Sequence, residues 1–133
     1  NMLKSEDKKS ILKYRIEKSW LSLKEARDVA ALGYWNLAGN RIYYAVYYMA
    51  SALLLDKGFI TKTHAGVIHL LGAKFISEGI LDKSYGRFFS RLYELRQAGD
   101  YDDMYDATPE EVGPYFGTAE KFISEMEKLI TQK

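Results

Sequence analysis

Residues 34–58 read YWNLAGNRIYYAVYYMASALLLDKG, and this stretch decides the fold. As a helix of about 100° per residue, it is apolar on most of its sides. Its main apolar face comprises Ile42, Val46, Met49 and Leu53, widened by Tyr43, Ala50 and Leu54. A helix of this kind lies at the centre of a bundle or is covered by a partner chain. We therefore predict a central helix from about Tyr34 to Lys57, ended by Gly58.

Helical patterns continue on both sides of this stretch. Apolar residues recur at three- and four-residue steps, and glycines stand where helices should end. The predicted helices run from about Ser5 to Leu32, from the N-cap Thr63 to Gly79, and from the cap Asp82 to Gly99. A fifth helix starts with Thr108 as N-cap and Pro109 in its first position, and Pro114 is expected to bend its first turns. The sequence thus predicts an all-α, up-and-down bundle of about five helices in one domain, residues 1–133.

Composition narrows the classes of function. Apolar residues make up 47% and charged residues 28%, and 19 basic against 18 acidic residues give a net charge of +1. This balance provides no global attraction to nucleic acid or to an anionic membrane, so an RNA-binding role needs a local basic patch. The absence of cysteine excludes disulfides, thiolate metal sites and a cysteine nucleophile. No apolar run approaches the ~20 residues of a membrane span, and no signal-peptide pattern occurs, so the expected location is the cytoplasm.

Common metal and nucleotide motifs are missing. The two histidines, His64 and His69, are five residues apart and point to different sides of a helix, and no Glu-x-x-His pair of a di-iron bundle occurs. The sequence also lacks a P-loop, a dinucleotide-binding glycine fingerprint and a serine-hydrolase elbow. We therefore expect neither a metal site nor a cofactor.

The central helix carries polar and aromatic residues in one narrow sector. Asn40, Tyr44, Tyr47 and Ser51 share this sector, and five tyrosines lie within residues 34–48. The pair formed by Asn40 and Arg41 is interpreted either as a hydrogen-bonded structural pair or as part of a binding site. The tyrosines serve either as packing, including packing at a subunit interface, or as a surface on which bases stack.

The start of the third helix is a second polar feature. Free backbone N–H groups and the helix dipole attract an anion there, and Lys62 adds positive charge beside His64. The alternative is an ordinary capped helix with an exposed histidine.

Arg96 is the third polar feature, and it lies on the apolar side of the fourth helix with Phe89 and Leu92. A guanidinium in this position needs a partner, because an unpaired buried charge is costly. Asp100, or an acid from another helix, would serve. Arg96 with Asp100 and Tyr101 is then either a structural ion pair that fixes the end of the helix or a group that holds phosphate bidentately.

Several short motifs together resemble the HEPN (higher eukaryotes and prokaryotes nucleotide-binding) domain family. The motifs are Asn-Arg-x-Tyr-Tyr-Ala (40–45), Ala-Leu-Leu (52–54), Gly58, Lys62-x-His64 and Leu-Arg-x-x-x-Asp-Tyr (95–101). Their order and spacing are most similar to the small, stand-alone prokaryotic branch, over about residues 15–130. The resemblance implies an up-and-down helical bundle, like the substrate-binding subunits of nucleotidyltransferases, that forms a homodimer.

The resemblance also implies an activity and a partner. Many members act with a minimal nucleotidyltransferase as a toxin–antitoxin pair, and many are metal-independent RNases that carry an Arg, four to six residues, and then a His. The Arg would stabilise phosphate charge, and the His would act as acid or base. Here Arg96 matches the arginine, but Tyr101, Asp102 and Asp103 stand where the histidine is expected. A tyrosine, with an ordinary pKa of about 10, is a poor replacement near neutral pH.

We therefore predict a non-catalytic HEPN protein that binds a nucleotide, RNA or a nucleotidyltransferase partner in a toxin–antitoxin-type system. The predicted ligand-binding residues are Asn40, Arg41, Tyr44, Lys62, His64, Arg96, Asp100 and Tyr101. One alternative is an RNase toxin in which Arg96 works with Tyr101 or with His64, provided that the fold brings His64 to Arg96. The other alternative is a purely structural or interaction dimer.

Overall fold

The computed structural model describes residues 5–131, and this part of the chain is all-helical, as predicted. In chain order the elements are α1 (Ser5–Ala31), α2 (Trp35–Asp56), α3 (His64–Leu71), a π-helical turn (Gly72–Ile76), α4 (Ser84–Tyr101), α5 (Pro109–Val112) and α6 (Tyr115–Thr131). Residues 1–4 and 132–133 of the predicted domain lie outside the described residues. Within residues 5–131, no helix combines the length and the apolar surface needed to span a membrane.

Helix α2 is the centre of the bundle, and α1, α3, α4 and α6 all pack against it. Its predicted apolar face is fully buried, from Ile42 through Val46 and Met49 to Leu53. Helix α6 contributes Phe122 and the neighbouring Ile123 to the same core. The apolar face of α2 is therefore buried by the other helices of the same chain.

The predicted helix limits are confirmed within one residue for α1 and α2. Gly33 and Gly58 follow these helices with positive φ angles of 86° and 85°, which only glycine adopts without strain. Helix α3 begins after Thr63, whose hydroxyl accepts a hydrogen bond from the backbone N–H of Gly66 at 2.9 Å. Thr108 caps α5 in the same way, with the backbone N–H of Glu111 at 3.1 Å.

Three predicted features differ in the structure. The third helix changes to a π-helical turn at Gly72, before the predicted end at Gly79. Helix α4 begins at Ser84, whose backbone N–H donates to the predicted cap Asp82 at 2.9 Å, and it continues past the predicted end at Gly99 to Tyr101. Pro114 does not bend one helix but separates α5 from α6, because proline has no N–H to continue the hydrogen-bond ladder.

A close approach of α2 to α4 positions the site described below. Gly39 of α2 faces Leu95 of α4, and a Cβ atom at Gly39 would lie only 2.9 Å from Leu95 Cδ2. The missing side chain lets the two helices approach at this level. Tyr43 of α2 thereby comes next to Arg96 of α4, and Asn40 comes next to Asp100.

Candidate functional site

Five rings form an aromatic cluster between α2, the start of α3 and α4. The members of the aromatic cluster are Tyr43, Tyr44, Tyr47, His64 and Tyr93. Tyr43 is its fully buried centre, and the centroid of its ring lies 5.2–5.9 Å from those of the four others. The cluster therefore extends from the core of the bundle to partly exposed rings at the surface.

His64 enters the aromatic cluster as the first residue of α3. Its ring stacks on Tyr47, with centroids 4.3 Å apart and an angle of 15° between the planes. Its Nδ1 shares a 2.7 Å hydrogen bond with the hydroxyl of Tyr43. Burial raises the pKa of that hydroxyl, so Tyr43 stays protonated. Among the described residues, no group forms a hydrogen bond with Nε2 of His64.

Electrostatics connect His64 to Arg96. Burial lowers the pKa of His64 below its ordinary value of 6.5, and the positive charge of Arg96 lowers it further. His64 is therefore neutral near pH 7, the form in which an imidazole accepts a proton. His64 and Arg96 both lie next to Tyr43, His64 with its ring centroid at 5.8 Å and Arg96 with its guanidinium carbon at 5.8 Å from the centroid of the Tyr43 ring.

Arg96 lies on the aromatic cluster with an incomplete set of partners. Its guanidinium carbon is 5.5 Å from the ring centroid of Tyr44 and 5.8 Å from that of Tyr43. The side chain is only 16% exposed, and its single ion-pair contact joins Nε to Asp100 Oδ2 at 3.4 Å. Within the described residues, this buried Nε has no hydrogen-bond acceptor. The predicted pairing with Asp100 thus exists but leaves the guanidinium donors largely unused.

A polar chain leads from Asp100 across α2 to α1. Asn40 donates to Asp100 Oδ1 at 3.5 Å, and Arg41 donates to Asn40 Oδ1 from Nε at 3.1 Å and from Nη2 at 3.0 Å. Arg41 also lies over the ring of Tyr44 and 3.5 Å from Glu25 of α1. Asn40 and Arg41 are thus hydrogen-bonded to each other, as the structural interpretation expects. The pair is linked to Arg96 through Asp100 and through the ring of Tyr44.

Two predicted residues, Lys62 and Tyr101, are exposed and, within residues 5–131, form no ring contact or hydrogen bond with the aromatic cluster. Lys62 is exposed before α3, and Tyr101 is 72% exposed in the last turn of α4. A dyad of Arg96 with Tyr101 therefore receives no support from this geometry. Sequence reasoning placed Tyr43 in the core only and did not predict Tyr47 or Tyr93 as binding residues. Tyr43 follows Asn40 by three residues and Tyr47 follows it by seven, so all three lie on neighbouring rows of α2. This spacing is the sequence signal that could have identified both tyrosines as part of the site.

The described residues contain no group of three or more histidine or acidic side chains that could hold a metal ion. The acidic stretch after α4 is exposed, and Asp102 accepts a hydrogen bond there from the backbone N–H of Met104 at 3.0 Å. This carboxylate therefore shapes the turn after α4.

The HEPN domain family model matches residues 12–129 of this chain. The chain therefore belongs to the HEPN family, which confirms the resemblance seen in its motifs. A protein of Thermotoga maritima named "UPF0332 protein" is 35% identical over 124 residues, which cover 93% of this chain and 94% of that protein. Two proteins of Methanocaldococcus jannaschii are also similar. "Putative toxin MJ0142" is 30% identical over 89% of this chain and 80% of its own length, and "Putative toxin MJ0605" is 38% identical over 69% and 68%.

Proposed function

We propose that this protein binds single-stranded RNA, holding a phosphate on Arg96 beside the aromatic cluster, and that it does so without cleaving the strand. The observation that supports this proposal most strongly is the state of Arg96. Its guanidinium is largely buried, makes one long ion-pair contact and forms no hydrogen bond with another described residue. A phosphate bound by two parallel N–H donors would satisfy the fork geometry that Arg96 leaves unused.

The surrounding rings suit the same ligand. Tyr44, Tyr47 and Tyr93 are partly exposed, and Tyr44 lies directly under the guanidinium. Aromatic side chains beside a cation are the usual platform for unstacked bases of a single strand. The chain has a net charge of only +1, so this local arrangement, and not a general basic field, would attract the RNA.

Fluorescence anisotropy with a labelled single-stranded RNA tests the binding. Arg96→Gln is expected to weaken binding about a hundredfold, the loss expected for two charge-assisted hydrogen bonds, and to reduce the salt dependence by about one phosphate contact. Arg91→Gln is the matched control, because Arg91 is an exposed arginine of the same helix that lies outside the aromatic cluster. Equal affinities for the wild type and Arg96→Gln would contradict the proposal.

A second candidate function is metal-independent RNA cleavage. It is favoured by one observation, the contact of both Arg96 and neutral His64 with Tyr43. In this mechanism, Nε2 of His64 takes the proton of a ribose 2′-hydroxyl, the 2′-oxygen attacks the phosphorus, and the P–O5′ bond breaks. The released 5′-oxygen takes a proton from water, and Arg96 stabilises the charge on the phosphate. The absence of a histidine after Arg96 in α4 favours binding without cleavage as the first choice.

Incubation of the purified protein with mixed RNA separates the two candidates. Intact RNA at high protein concentration supports binding alone. Cleavage that disappears in His64→Gln and persists in His69→Gln supports the RNase, since His69 is exposed on the same helix outside the aromatic cluster. A known HEPN RNase serves as the positive control.

The names of the two Methanocaldococcus jannaschii relatives support a toxin role as part of the proposal. We expect a homodimer that associates with a minimal nucleotidyltransferase as its antitoxin. Induced expression in a bacterial host, with and without a co-expressed nucleotidyltransferase from the same genome, measures both points. Growth that is unaffected in either case would count against the toxin role.

A further inference from the structure

A cavity adjoins the aromatic cluster at Tyr47. It has a volume of about 260 Å³ and lies between α1, α2 and the segment that connects α2 to α3. Arg15, Tyr47, Ser51, Phe59 and Thr61 contribute to its wall, and aliphatic side chains complete it. We call this cavity the Arg15 pocket.

Two polar groups in the wall of the Arg15 pocket are incompletely paired. Nη1 of Arg15 donates to the backbone oxygen of Ser51 at 3.2 Å, and none of the described carboxylates forms an ion pair with this guanidinium. Ser51 is only 8% exposed, and its hydroxyl is buried without a hydrogen-bond partner within residues 5–131. A buried hydroxyl without a partner costs free energy, and a rotation of the Ser51 side chain toward the Arg15 pocket would let a ligand supply the partner.

The remaining wall is apolar and partly aromatic. Tyr47 and Phe59 present rings, and Leu54 and Val67 present aliphatic surface. The volume is slightly below the ~300 Å³ at which pockets for drug-sized ligands begin, so the pocket suits one planar group rather than a whole nucleotide. A planar group that packs against aromatic rings and offers acceptors to an arginine has the chemistry of a nucleobase.

We propose that the Arg15 pocket is a nucleobase subsite that takes an unstacked guanine. Guanine presents its O6 and N7 acceptors side by side, the arrangement that an arginine fork recognises. This inference rests on the proposed function, because the guanine would belong to the RNA whose phosphate lies on Arg96.

Tyr47 connects the two positions. Its ring lines the Arg15 pocket and is 5.9 Å from the ring of Tyr43, over which the guanidinium of Arg96 lies at 5.8 Å. At most these two spacings separate the ring of Tyr47 from the guanidinium of Arg96, a distance that a short oligonucleotide can span.

Binding of RNA tetranucleotides that differ in a single base tests the subsite. The probes carry one guanine, adenine or uracil among cytosines, and an abasic tetramer supplies phosphates alone. For the wild type, we expect the guanine probe to bind about tenfold more tightly than the adenine probe, the discrimination of one good arginine–base contact. Arg15→Gln should abolish this preference, and Ser51→Ala should reduce it. Both variants should leave binding of the abasic tetramer unchanged.

Lys13→Gln is the matched control, because it removes a positive charge from an exposed position of α1 two residues away. Arg15→Lys keeps the charge and loses the fork, so it should also lose the guanine preference. Melting curves from circular dichroism show that each variant is folded. If Lys13→Gln and Arg15→Gln weaken all probes equally, the subsite is overturned and the phosphate site on Arg96 stands.

Two other outcomes separate the subsite from the proposed function. A guanine preference that depends on Arg15, together with an affinity for all probes that Arg96→Gln leaves unchanged, supports the subsite and contradicts the phosphate site. Failure of every probe to bind the wild-type protein, at concentrations where nuclear magnetic resonance detects weak complexes, overturns both.

Discussion

Arg91 and Arg96 stand five residues apart on α4 and have opposite surroundings. Arg91 is 49% exposed, yet its Nη2 is 2.8 Å from Glu111 Oε2, its Nε donates to the Tyr115 hydroxyl at 3.4 Å, and Glu94 is within 3.6 Å. Arg96 is 16% exposed, and its one ion-pair contact is Asp100 at 3.4 Å. The arginine that water can reach has three polar partners, and the arginine that is largely removed from water has one.

This difference supports a structural role for Arg91 and the proposed binding role for Arg96. Stability alone favours the opposite distribution, because a buried charge needs partners more than an exposed charge does. Arg91 connects α4 to α5 through Glu111 and to α6 through Tyr115. The sparse pairing of Arg96 is costly to the isolated fold, and such a cost is typical of groups held ready for a ligand.

Replacing Arg91 and replacing Arg96 should have opposite effects on the stability of the protein. Arg91→Met should lower the free energy of unfolding by about 1 kcal/mol, a modest value because half of the side chain is exposed to solvent screening. Arg96→Met should raise it by about 1 kcal/mol, since removing the desolvation penalty of the guanidinium outweighs the loss of its cation–π attraction to Tyr43 and Tyr44. Urea denaturation of the two variants and the wild type, followed by circular dichroism, measures both changes.

The purely structural alternative predicts a different result for the same pair. If Arg96 serves only to lock helices together, Arg96→Met should destabilise the protein by several kcal/mol, as expected when a buried ion pair loses one partner. Unchanged slopes of the denaturation curves are needed for the comparison, because a changed slope signals a changed unfolded state.

The sequence predicted Arg96 and its partner Asp100 because both lie on one helix, four residues apart. It also predicted the bundle, since apolar periodicity, caps and glycines are local signals. It did not predict that Tyr43 joins His64 to Arg96, because these residues lie on three different helices and local periodicity carries no information on how helices pack. The π-helical turn at Gly72 was missed for a similar reason, as its local pattern is that of an α-helix.

A second prediction concerns the geometry that RNA binding requires. Arg96→Lys keeps the positive charge but loses the planar fork, so RNA affinity should fall about tenfold. Arg91→Lys should change the affinity less than about twofold, because the comparison assigns Arg91 no role in binding. Anisotropy titrations at one fixed salt concentration measure both, since affinities at different salt concentrations are not comparable. Equal losses in the two lysine variants would show that general charge, and not Arg96, binds the RNA.

A third prediction concerns the coupling between each arginine and its acid. A double-mutant cycle of Arg91→Met with Glu111→Gln should give a coupling of about 0.5–1 kcal/mol, the range of well-formed exposed pairs. The cycle of Arg96→Met with Asp100→Asn should give less than about 0.3 kcal/mol, because the Nε–Oδ2 contact is long. Denaturation of the single and double variants supplies the values. A larger coupling for Arg96 than for Arg91 would reverse the assignment of the structural and functional arginine.

The smallest expected effect is on the titration of His64. The pKa of His64 lies below its ordinary value, mainly because of burial and secondarily because of Arg96. Arg96→Gln removes only the second cause, so the pKa of His64 should rise but remain below the ordinary value. Arg91→Gln should leave it unchanged. Nuclear magnetic resonance of the imidazole signals measures the pKa, and the exposed His69 provides an internal reference.

The lowered pKa of His64 also makes the stability of the fold depend on pH. Because His64 binds a proton less readily in the folded than in the unfolded protein, the fold loses stability as the pH falls below about 6.5, the unfolded pKa. Above that value both states are neutral at His64 and the penalty is absent. In Arg96→Gln the raised folded pKa makes the acid-side penalty smaller, whereas Arg91→Gln keeps the wild-type dependence. Melting temperatures above and below this pH test the difference. An identical pH dependence in all three proteins would show that the charge of Arg96 does not reach His64, and the RNase alternative would then lose its supporting observation.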